Sequence, residues 1–216
     1  MNIIISGSAS GIGKAICEKF LDNKHNVIGF DTEEGTINHK NYAHHIHDIR
    51  TPLGNKYDMD TDILINCAGC FDENIAISVN LEGTITFTEN FLNSKNLKSI
   101  LFIASASARN GCEFPYYTAS KAGIVGYMKN LAGGVAKRGI TCNSISPGGV
   151  ITSSNDHILK SEKLYKAVLD ETLLGKRASV EEIADWAYFL TVMNRSMTGE
   201  DLLVDNGEML KSNFIW

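Results

Sequence analysis

A tyrosine and a lysine stand four residues apart in the segment 116–121, which reads YYTASK. Residues i and i+4 of a helix share one face, so Tyr117 and Lys121 would lie side by side. An ammonium beside a phenol stabilises the phenolate and lowers a pKa that starts near about 10. Such a phenol can exchange a proton with an alcohol near neutral pH. Tyr116 has no lysine four residues on, and the pair taken alone would favour an ordinary helix contact.

A glycine-rich turn, SGSASGIG at residues 6–13, is a second candidate site. Its three glycines allow a sharp turn and close approach of the backbone to a ligand. The apolar run 2–6 before it predicts a strand, and the amphipathic segment 11–22 after it predicts a helix. Free N–H groups and the partial positive charge at that helix start suit a pyrophosphate. A tight turn without a ligand is the alternative, which the strand–turn–helix context disfavours.

The next predicted strand, 26–31, ends in an aspartate, Asp31. A carboxylate at this distance from the glycines can accept hydrogen bonds from an adenosine ribose. Thr32, Glu33 and Glu34 follow it, and Ser10 precedes the second glycine, so none of these positions offers a cation to a 2′-phosphate. Repulsion between like charges therefore predicts NAD rather than NADP. An exposed acidic turn without a ligand is the alternative.

Short apolar runs alternate with longer amphipathic segments, a pattern typical of a parallel sheet covered by helices. Further strands are predicted at 62–66, 99–104, 140–145 and 201–204, with a weaker one at 43–47. Helices are predicted near 76–94, 115–137, 157–172 and 179–192. The last begins with a capping box at Ser179 to Glu182. A length of 216 residues predicts one α/β domain, 1–216.

Composition excludes several classes of protein. Hydrophobic residues at 44% and charged residues at 21% are typical of a folded globular chain and disfavour disorder. A net charge of −5 with mixed signs leaves no basic stripe, so nucleic acid is not an expected partner. No apolar run approaches the roughly 18 residues that span a bilayer, and the first residues lack the basic region of a signal peptide. We therefore expect no membrane partner.

The five cysteines are an odd number, which favours free thiols and a cytoplasmic location. Cys67 and Cys70 form a single CxxC without a second pair. His44, His45 and His47 also lack a matching second cluster. Neither group completes a set of metal ligands, so we expect no metal site.

These features together resemble the short-chain dehydrogenase/reductase family, whose motifs occur here in the family's order over nearly the whole chain. They are Gly7-xxx-Gly11-x-Gly13, Asn66-Cys67-Ala68-Gly69, Asn80, Ser105, Tyr117-xxx-Lys121, Pro147-Gly148-Gly149-Val150-Ile151-Thr152 and the tail 198–207. The resemblance implies a Rossmann fold, a doubly wound parallel sheet of about seven strands. The segment 32–61 is too short for the two helices that the family carries there, so helices 2 and 3 are expected to be reduced.

The resemblance also implies catalytic roles. Tyr117 would be the general acid/base toward the substrate oxygen, and Lys121 would bind the nicotinamide ribose and lower the tyrosine pKa. Ser105 would donate a hydrogen bond to the substrate oxygen, although it lies one residue closer to the tyrosine than is usual. Ser107 is its rival, but Ser105 better follows the predicted strand and is preferred. Asn80 would hold a water that links Lys121 to solvent.

The cofactor would lie along the strand ends. Asp48, followed by Ile49, matches the family aspartate that contacts the adenine amino group. The Val150 backbone would contact the carboxamide, and Thr152 would lie near the phosphates unless it is a plain turn threonine. The expected cofactor-binding residues are Gly7, Ser10, Gly11, Ile12, Gly13, Asp31, Asp48, Ile49, Asn66, Ala68, Gly69, Tyr117, Lys121, Pro147, Gly148, Val150 and Thr152.

The family's activity then implies an NAD(H)-dependent oxidoreductase that transfers a hydride between nicotinamide and a secondary alcohol or ketone. A catalytically idle dinucleotide-binding scaffold is the alternative, since the flank at 32–61 is shortened. The segment 152–176 would be the substrate lid, and steroid, acyl, sugar and polyol substrates all remain open. Family members commonly pair through the helices at 76–94 and 115–137, so a homodimer or homotetramer is expected.

Overall fold

The protein is described by a computed structural model, which covers residues 1–54, 60–112, 114–152 and 160–210. Its centre is a seven-stranded parallel sheet in the order β3-β2-β1-β4-β5-β6-β7. The order reverses at β1, the crevice where doubly wound sheets bind ligands. The Rossmann fold predicted from the sequence is confirmed. The strands are β1 (Asn2–Ser6), β2 (Asn26–Asp31), β3 (Tyr42–Ile46), β4 (Ile63–Asn66), β5 (Ser99–Ile103), β6 (Thr141–Pro147) and β7 (Asp201–Val204).

Helices cover both faces of the sheet. They are α1 (Gly11–Asp22), α2 (Thr84–Glu89), α3 (Ser107–Asn110), α4 (Pro115–Val135), α5 (Glu162–Leu169) and α6 (Val180–Tyr188). Side chains alternate between the faces of a strand, so Ile3 and Ile5 pack toward α1 and α6, while Ile4 packs toward α2 and α4. All three isoleucines are fully buried, as expected for a central strand with helices on both sides. No helix in the described part of the chain is long and apolar enough to cross a membrane.

Several helix boundaries differ from those predicted. The helix expected over 76–94 begins as a π-helix, Ile77–Gly83, and its α-helical part ends at Glu89. Asn90 ends it by donating its side-chain amide to the carbonyls of Thr86 and Phe87. The helix expected over 115–137 is α-helical to Val135 and then tightens into a 3₁₀ turn, Ala136–Arg138.

The two later helices also differ from the prediction. α5 begins after its N-cap Ser161, and the predicted start at 157–159 lies outside the described residues. α6 has the predicted capping box of Ser179 and Glu182, and it continues as a π-helical turn, Phe189–Met193.

The shortened flank is confirmed. Residues 32–41 between β2 and β3 contain no helix, and the described residues between β3 and β4 contain no α-helix. Polar side chains pack here under the glycine-rich turn: the Tyr42 hydroxyl lies 3.3 Å from the Ser8 hydroxyl and 3.0 Å from His44 Nδ1. A Cβ at Gly29 would lie 2.3 Å from the Ser8 hydroxyl, so only glycine leaves room for this packing.

Candidate active site

A pocket of about 510 Å³ lies at the carboxyl ends of the central strands. Among the residues that line it are most of those predicted to bind a cofactor or act in catalysis. Only Asn66 and Asn80 of that predicted set do not line it. The fold thus brings together, from both halves of the sheet, side chains that are far apart in sequence.

The glycine-rich turn is held by close backbone contacts. Gly7 adopts a φ of +72°, and a Cβ there would lie 2.7 Å from the backbone of Ala68. A Cβ at Gly13 would lie 1.9 Å from the carbonyl oxygen of Gly7. Both positions therefore require glycine.

The first turn of α1 is open to a ligand. Its N-cap, Ser10, makes no side-chain capping hydrogen bond, and the turn contains no acidic residue. A Cβ at Gly11 would enter pocket space and come no nearer to a neighbour than 3.8 Å, at Thr152. N–H groups at a helix start beside space that a side chain would fill match the needs of a pyrophosphate. A dinucleotide fits the residues of this cradle.

Asp31 is tied to the same turn. Its carboxylate accepts the Ala9 N–H at 2.9 Å and the Glu33 N–H at 3.1 Å. The side chain is thereby fixed at the edge of the pocket, which it lines. Such a carboxylate has lone pairs left for the hydroxyls of a ribose.

Asp48 has a partner that the sequence did not indicate. The Arg50 side chain donates to both of its carboxylate oxygens, with Nε 3.0 Å from each of them. This guanidinium holds the pKa of the Asp48 carboxyl below its usual range. Arg50 also lines the pocket, and its position two residues after the aspartate is its only signal in the sequence.

Tyr117 and Lys121 lie on one face of α4, as their spacing predicts. Their residues are only 7% and 4% exposed, and the lysine Nζ lies 5.7 Å from the centre of the tyrosine ring. Nζ donates to the carbonyl oxygen of Ile103 at 3.0 Å, at the end of β5. The ammonium is therefore held at a fixed place beside the phenol.

Ser105 follows β5 and lines the same pocket, whereas Ser107 does not line it. The Ser107 hydroxyl instead donates to the Ser105 hydroxyl oxygen at 3.0 Å, and the Ser107 N–H points to the same oxygen at 3.2 Å. With these bonds accepted, the Ser105 O–H can be donated into the pocket.

Asn80 is fully buried and links the loop after β4 to α4. Its side chain accepts the Cys70 N–H at 2.8 Å and donates to the Cys70 carbonyl and the Ser120 hydroxyl, both at 3.0 Å. A Cβ at Gly69 would lie 3.2 Å from both Asn80 Oδ1 and Lys121 Nζ, so the two side chains meet at this glycine.

Asn66, at the end of β4, is buried, and its side-chain oxygen and nitrogen have no hydrogen-bond partner among the described residues. Next to it, Cys67 lines the pocket. Burial raises the pKa of the Cys67 thiol to about 12, so this thiol is protonated at neutral pH.

Three further residues shape the pocket without having been predicted. Phe71 stacks on Tyr117 with ring centres 4.5 Å apart. Glu73 binds the backbone at the start of α4. Arg177 lines the pocket from the segment before α6. In the sequence, Phe71 and Glu73 are indicated only by their closeness to the Asn66–Gly69 motif, and Arg177 only by its closeness to the capping box.

Comparison with known proteins decides the family. Residues 55–208, well over half of the chain, match the short-chain dehydrogenase/reductase model described as enoyl-(acyl carrier protein) reductase. This chain belongs to the short-chain dehydrogenase/reductase family. As a member, it is similar to 3-oxoacyl-(acyl-carrier-protein) reductase of Buchnera aphidicola, with 29% identity covering 94% of this chain and 95% of the relative.

Two solved structures show the same fold with nicotinamide cofactors. One is 4-hydroxyisoleucine dehydrogenase complexed with NADH, with 25% identity, a TM-score of 0.86, and coverage of 98% of this chain and 99% of the other. The second is a putative 2-deoxy-D-gluconate 3-dehydrogenase from Agrobacterium tumefaciens with bound NADP, with 26% identity, a TM-score of 0.87, and coverage of 97% and 96%. This short-chain dehydrogenase/reductase is accordingly an oxidoreductase of the class that uses a nicotinamide dinucleotide.

Proposed function

We propose that the protein is an NAD(H)-dependent oxidoreductase that interconverts a secondary alcohol and its ketone. The observation that carries the proposal is the convergence of Ser105, Tyr117 and Lys121 on the pocket that also contains the glycine-rich turn and Asp31. A proton-transfer group and a dinucleotide cradle thus share one cavity.

Each side chain has a distinct task in this proposal. Tyr117 donates its phenolic proton to the substrate oxygen during reduction and takes it back during oxidation. Lys121 stabilises the phenolate form by its nearby charge. Ser105 donates a hydrogen bond to the same substrate oxygen and stabilises negative charge that develops there. Asn80 positions the Cys70 loop beside Lys121, and the predicted water relay would start from this point. The nicotinamide, when bound, supplies or accepts the hydride.

The preference for NAD(H) rests on the Asp31 end of the pocket. A 2′-phosphate on the adenosine ribose would meet the Asp31 carboxylate, with Glu33 and Glu34 next in the chain. Arg50, the cation of this region that lines the pocket, already pairs with Asp48. Similar structures contain NADH in one case and NADP in another, so the family alone does not decide between the two cofactors. The preference for NAD(H) in this chain is therefore assigned to Asp31.

A titration with NADH and, separately, with NADPH tests the proposal through the fluorescence of the bound cofactor. NADH binding at least about tenfold tighter, or about 1.4 kcal/mol, supports the Asp31 assignment. A preference for NADPH would contradict it. Binding of neither cofactor would instead favour the idle-scaffold alternative, as would NADH binding without turnover of any alcohol in a broad panel.

Further features of the proposal follow from the family. We expect the segment 152–176 to act as the substrate lid, and within it the structure describes residue 152 and residues 160–176 with α5.

We expect a homodimer or homotetramer. Cβ atoms added at Gly126, Gly133 and Gly134 of α4 would meet no atom within 4 Å, which leaves space for close packing. Light scattering after size-exclusion chromatography measures the assembly. The five free thiols suit a reducing cytoplasm.

A further inference from the structure

Arg177 is pinned beside the end of the pocket that follows β6. The Ala178 N–H donates to the Gly149 carbonyl at 3.1 Å, and the Ile151 N–H donates to the Ala178 carbonyl at 2.9 Å. These backbone bonds fix the segment that bears Arg177 against the turn after β6. A Cβ at Gly149 would lie 2.1 Å from Arg177 Nη1, so the guanidinium lies directly against a backbone that only glycine leaves accessible.

The guanidinium is poorly satisfied within the described part of the protein. Its side chain is 17% exposed, and its Nε is buried without a hydrogen-bond partner among the described residues. Among the described residues, the nearest carboxylate oxygen belongs to Glu171 and lies 3.7 Å from Nη2, and the Glu171 side chain is 58% exposed. A buried donor of a permanently charged group is costly to leave unpaired, and a carboxylate that accepts two parallel bonds is its best-matched partner.

The charges along the pocket are arranged by sign. The carboxylates that line it within the described residues belong to Asp31, the last residue of β2, and Asp48, which follows β3 at one edge of the sheet. Lys121 and Arg177 line it near the ends of β5 and β6, on the other side of β1. Lys121 is held by its bond to Ile103 beside Tyr117, whereas Arg177 keeps a buried Nε that has no hydrogen-bond partner among the described residues. An anion entering here meets a cation with an unpaired donor, whereas at the opposite end the Arg50 cation is already paired with Asp48 and the Asp31 carboxylate repels an anion.

Apart from Ser105, the lining beside Tyr117 includes apolar side chains. Phe71 lines the pocket and stacks on the Tyr117 ring, and Ile103 and Ala104 line it at the end of β5, next to Ser105. A substrate held here would therefore present an apolar body between its reacting oxygen and its charged end.

We infer that Arg177 binds a substrate carboxylate, and hence that the substrate is an aliphatic hydroxy acid or the corresponding keto acid. The inference rests on the proposed function, because it assigns the substrate of that same pocket. Arg177 acts here as a specificity-determining residue, since it orients the anion and takes no part in proton transfer at Tyr117.

The test uses butyrate and its uncharged isostere butyramide as probes of the whole protein saturated with NADH. Binding is followed by calorimetry or by the change in NADH fluorescence. The wild-type complex is expected to bind butyrate at least tenfold more tightly than butyramide. Arg177→Gln is expected to remove that preference, and Arg177→Lys is expected to keep part of it because a cation remains. The matched control is Lys176→Gln, which changes the net charge equally at an adjacent residue outside the pocket lining and should keep the full preference.

Each result has a defined consequence. Failure of the wild-type protein to bind NADH overturns the proposed function itself. Normal NADH binding without a preference for butyrate overturns only the carboxylate assignment, and this comparison needs no variant to fold. Weaker NADH binding by Arg177→Gln, with the butyrate preference unchanged once the variant is saturated with NADH, would mean that the arginine serves a cofactor phosphate instead. Equal loss of the preference in Lys176→Gln would mean that net charge, rather than Arg177, attracts the anion.

Discussion

The carboxylate of Glu73 accepts the backbone N–H of Tyr117 at 2.9 Å. Its other oxygen accepts the N–H of Tyr116 at 3.0 Å. Both N–H groups lie in the first turn of α4, where donors have no partner within the helix. The N-cap residue, Phe114, cannot provide a side-chain acceptor, so Glu73 caps the helix from the loop after β4. The loop that carries Phe71 and the helix that carries Tyr117 are thereby joined.

Replacing Glu73 should therefore affect both stability and catalysis. We expect Glu73→Ala to lower the free energy of unfolding by about 1 kcal/mol, the usual effect of losing a cap. We also expect a lower kcat with NADH affinity unchanged, because Tyr117 loses its fixed position. Glu73→Gln keeps an acceptor oxygen and should restore most of kcat. Urea denaturation and steady-state kinetics measure the two effects, with Glu89→Ala as an exposed acidic control. A stability loss without any change in kcat would show that the cap does not position the tyrosine.

The Tyr117 hydroxyl is expected to be essential for turnover. Tyr117→Phe keeps the buried ring and its stacking on Phe71 but removes the proton-transfer group. Turnover should fall by at least about 100-fold, the lower range for loss of a general acid/base, while NADH affinity stays within about twofold. Tyr116→Phe, at the exposed neighbouring tyrosine, should change neither quantity. Unchanged turnover in Tyr117→Phe would refute the assigned mechanism.

Asp31 is expected to set the cofactor preference. Asp31→Ala removes the ribose acceptor and the charge that repels a 2′-phosphate, so NADH affinity should fall by about tenfold while NADPH affinity falls less or rises. The same fluorescence titration measures both cofactors. Glu34→Gln changes an exposed acid three residues away and should leave the ratio unchanged. Equal loss for the two cofactors would mean that Asp31 only holds the turn through Ala9 and Glu33.

The parts of the fold that the sequence predicted well are those that local patterns determine. β1, β2 and α1 lie at the predicted residues because an apolar run, a glycine turn and an amphipathic repeat each act over a few neighbours. The capping box of α6 could also be predicted from the sequence, since its two partners, Ser179 and Glu182, are three residues apart. The π-helical start at Ile77 was not apparent in the sequence, and the bonds that Asn80 within it makes to Cys70 and Ser120 form only in the folded chain.

The missed pocket residues have the same physical explanation. Glu73 reaches Tyr117 across 44 residues of sequence, and neither an acidic residue in a loop nor a proline-led helix start indicates that contact. Arg177 meets Gly149 only after the turn that follows β6 has been folded against the segment before α6. Conversely, the family motifs predicted the glycine-rich turn and the tyrosine–lysine pair, because the chemistry proposed for them requires fixed residue types at fixed spacing.

The capping box of α6 should make stability depend on pH. Glu182 receives a hydrogen bond from Lys176 and one from the Ser179 N–H at 2.9 Å, and these bonds, led by that from Lys176, hold the pKa of its carboxyl below the usual value. A group whose pKa is lower in the folded than in the unfolded state stabilises the fold above its unfolded pKa of about 4.3 and loses that effect as the pH falls through the folded pKa. The side chain is 44% exposed, so solvent screening limits the effect to a few tenths of a kcal/mol.

Glu182→Gln isolates this charge, because the amide oxygen can still accept the Ser179 N–H. The variant should be slightly less stable than the wild type at pH 6 to 7, and the difference should shrink as the pH falls below about 4, where the wild-type carboxylate is also neutralised. Urea midpoints measured across this range provide the comparison. Glu181→Gln removes an acid from the same first turn without a capping bond, so it reports the effect of the helix dipole alone. If the two glutamine variants lose the same stability at every pH, the dipole is the cause, and the hydrogen bonds from Lys176 and Ser179 contribute nothing that depends on charge.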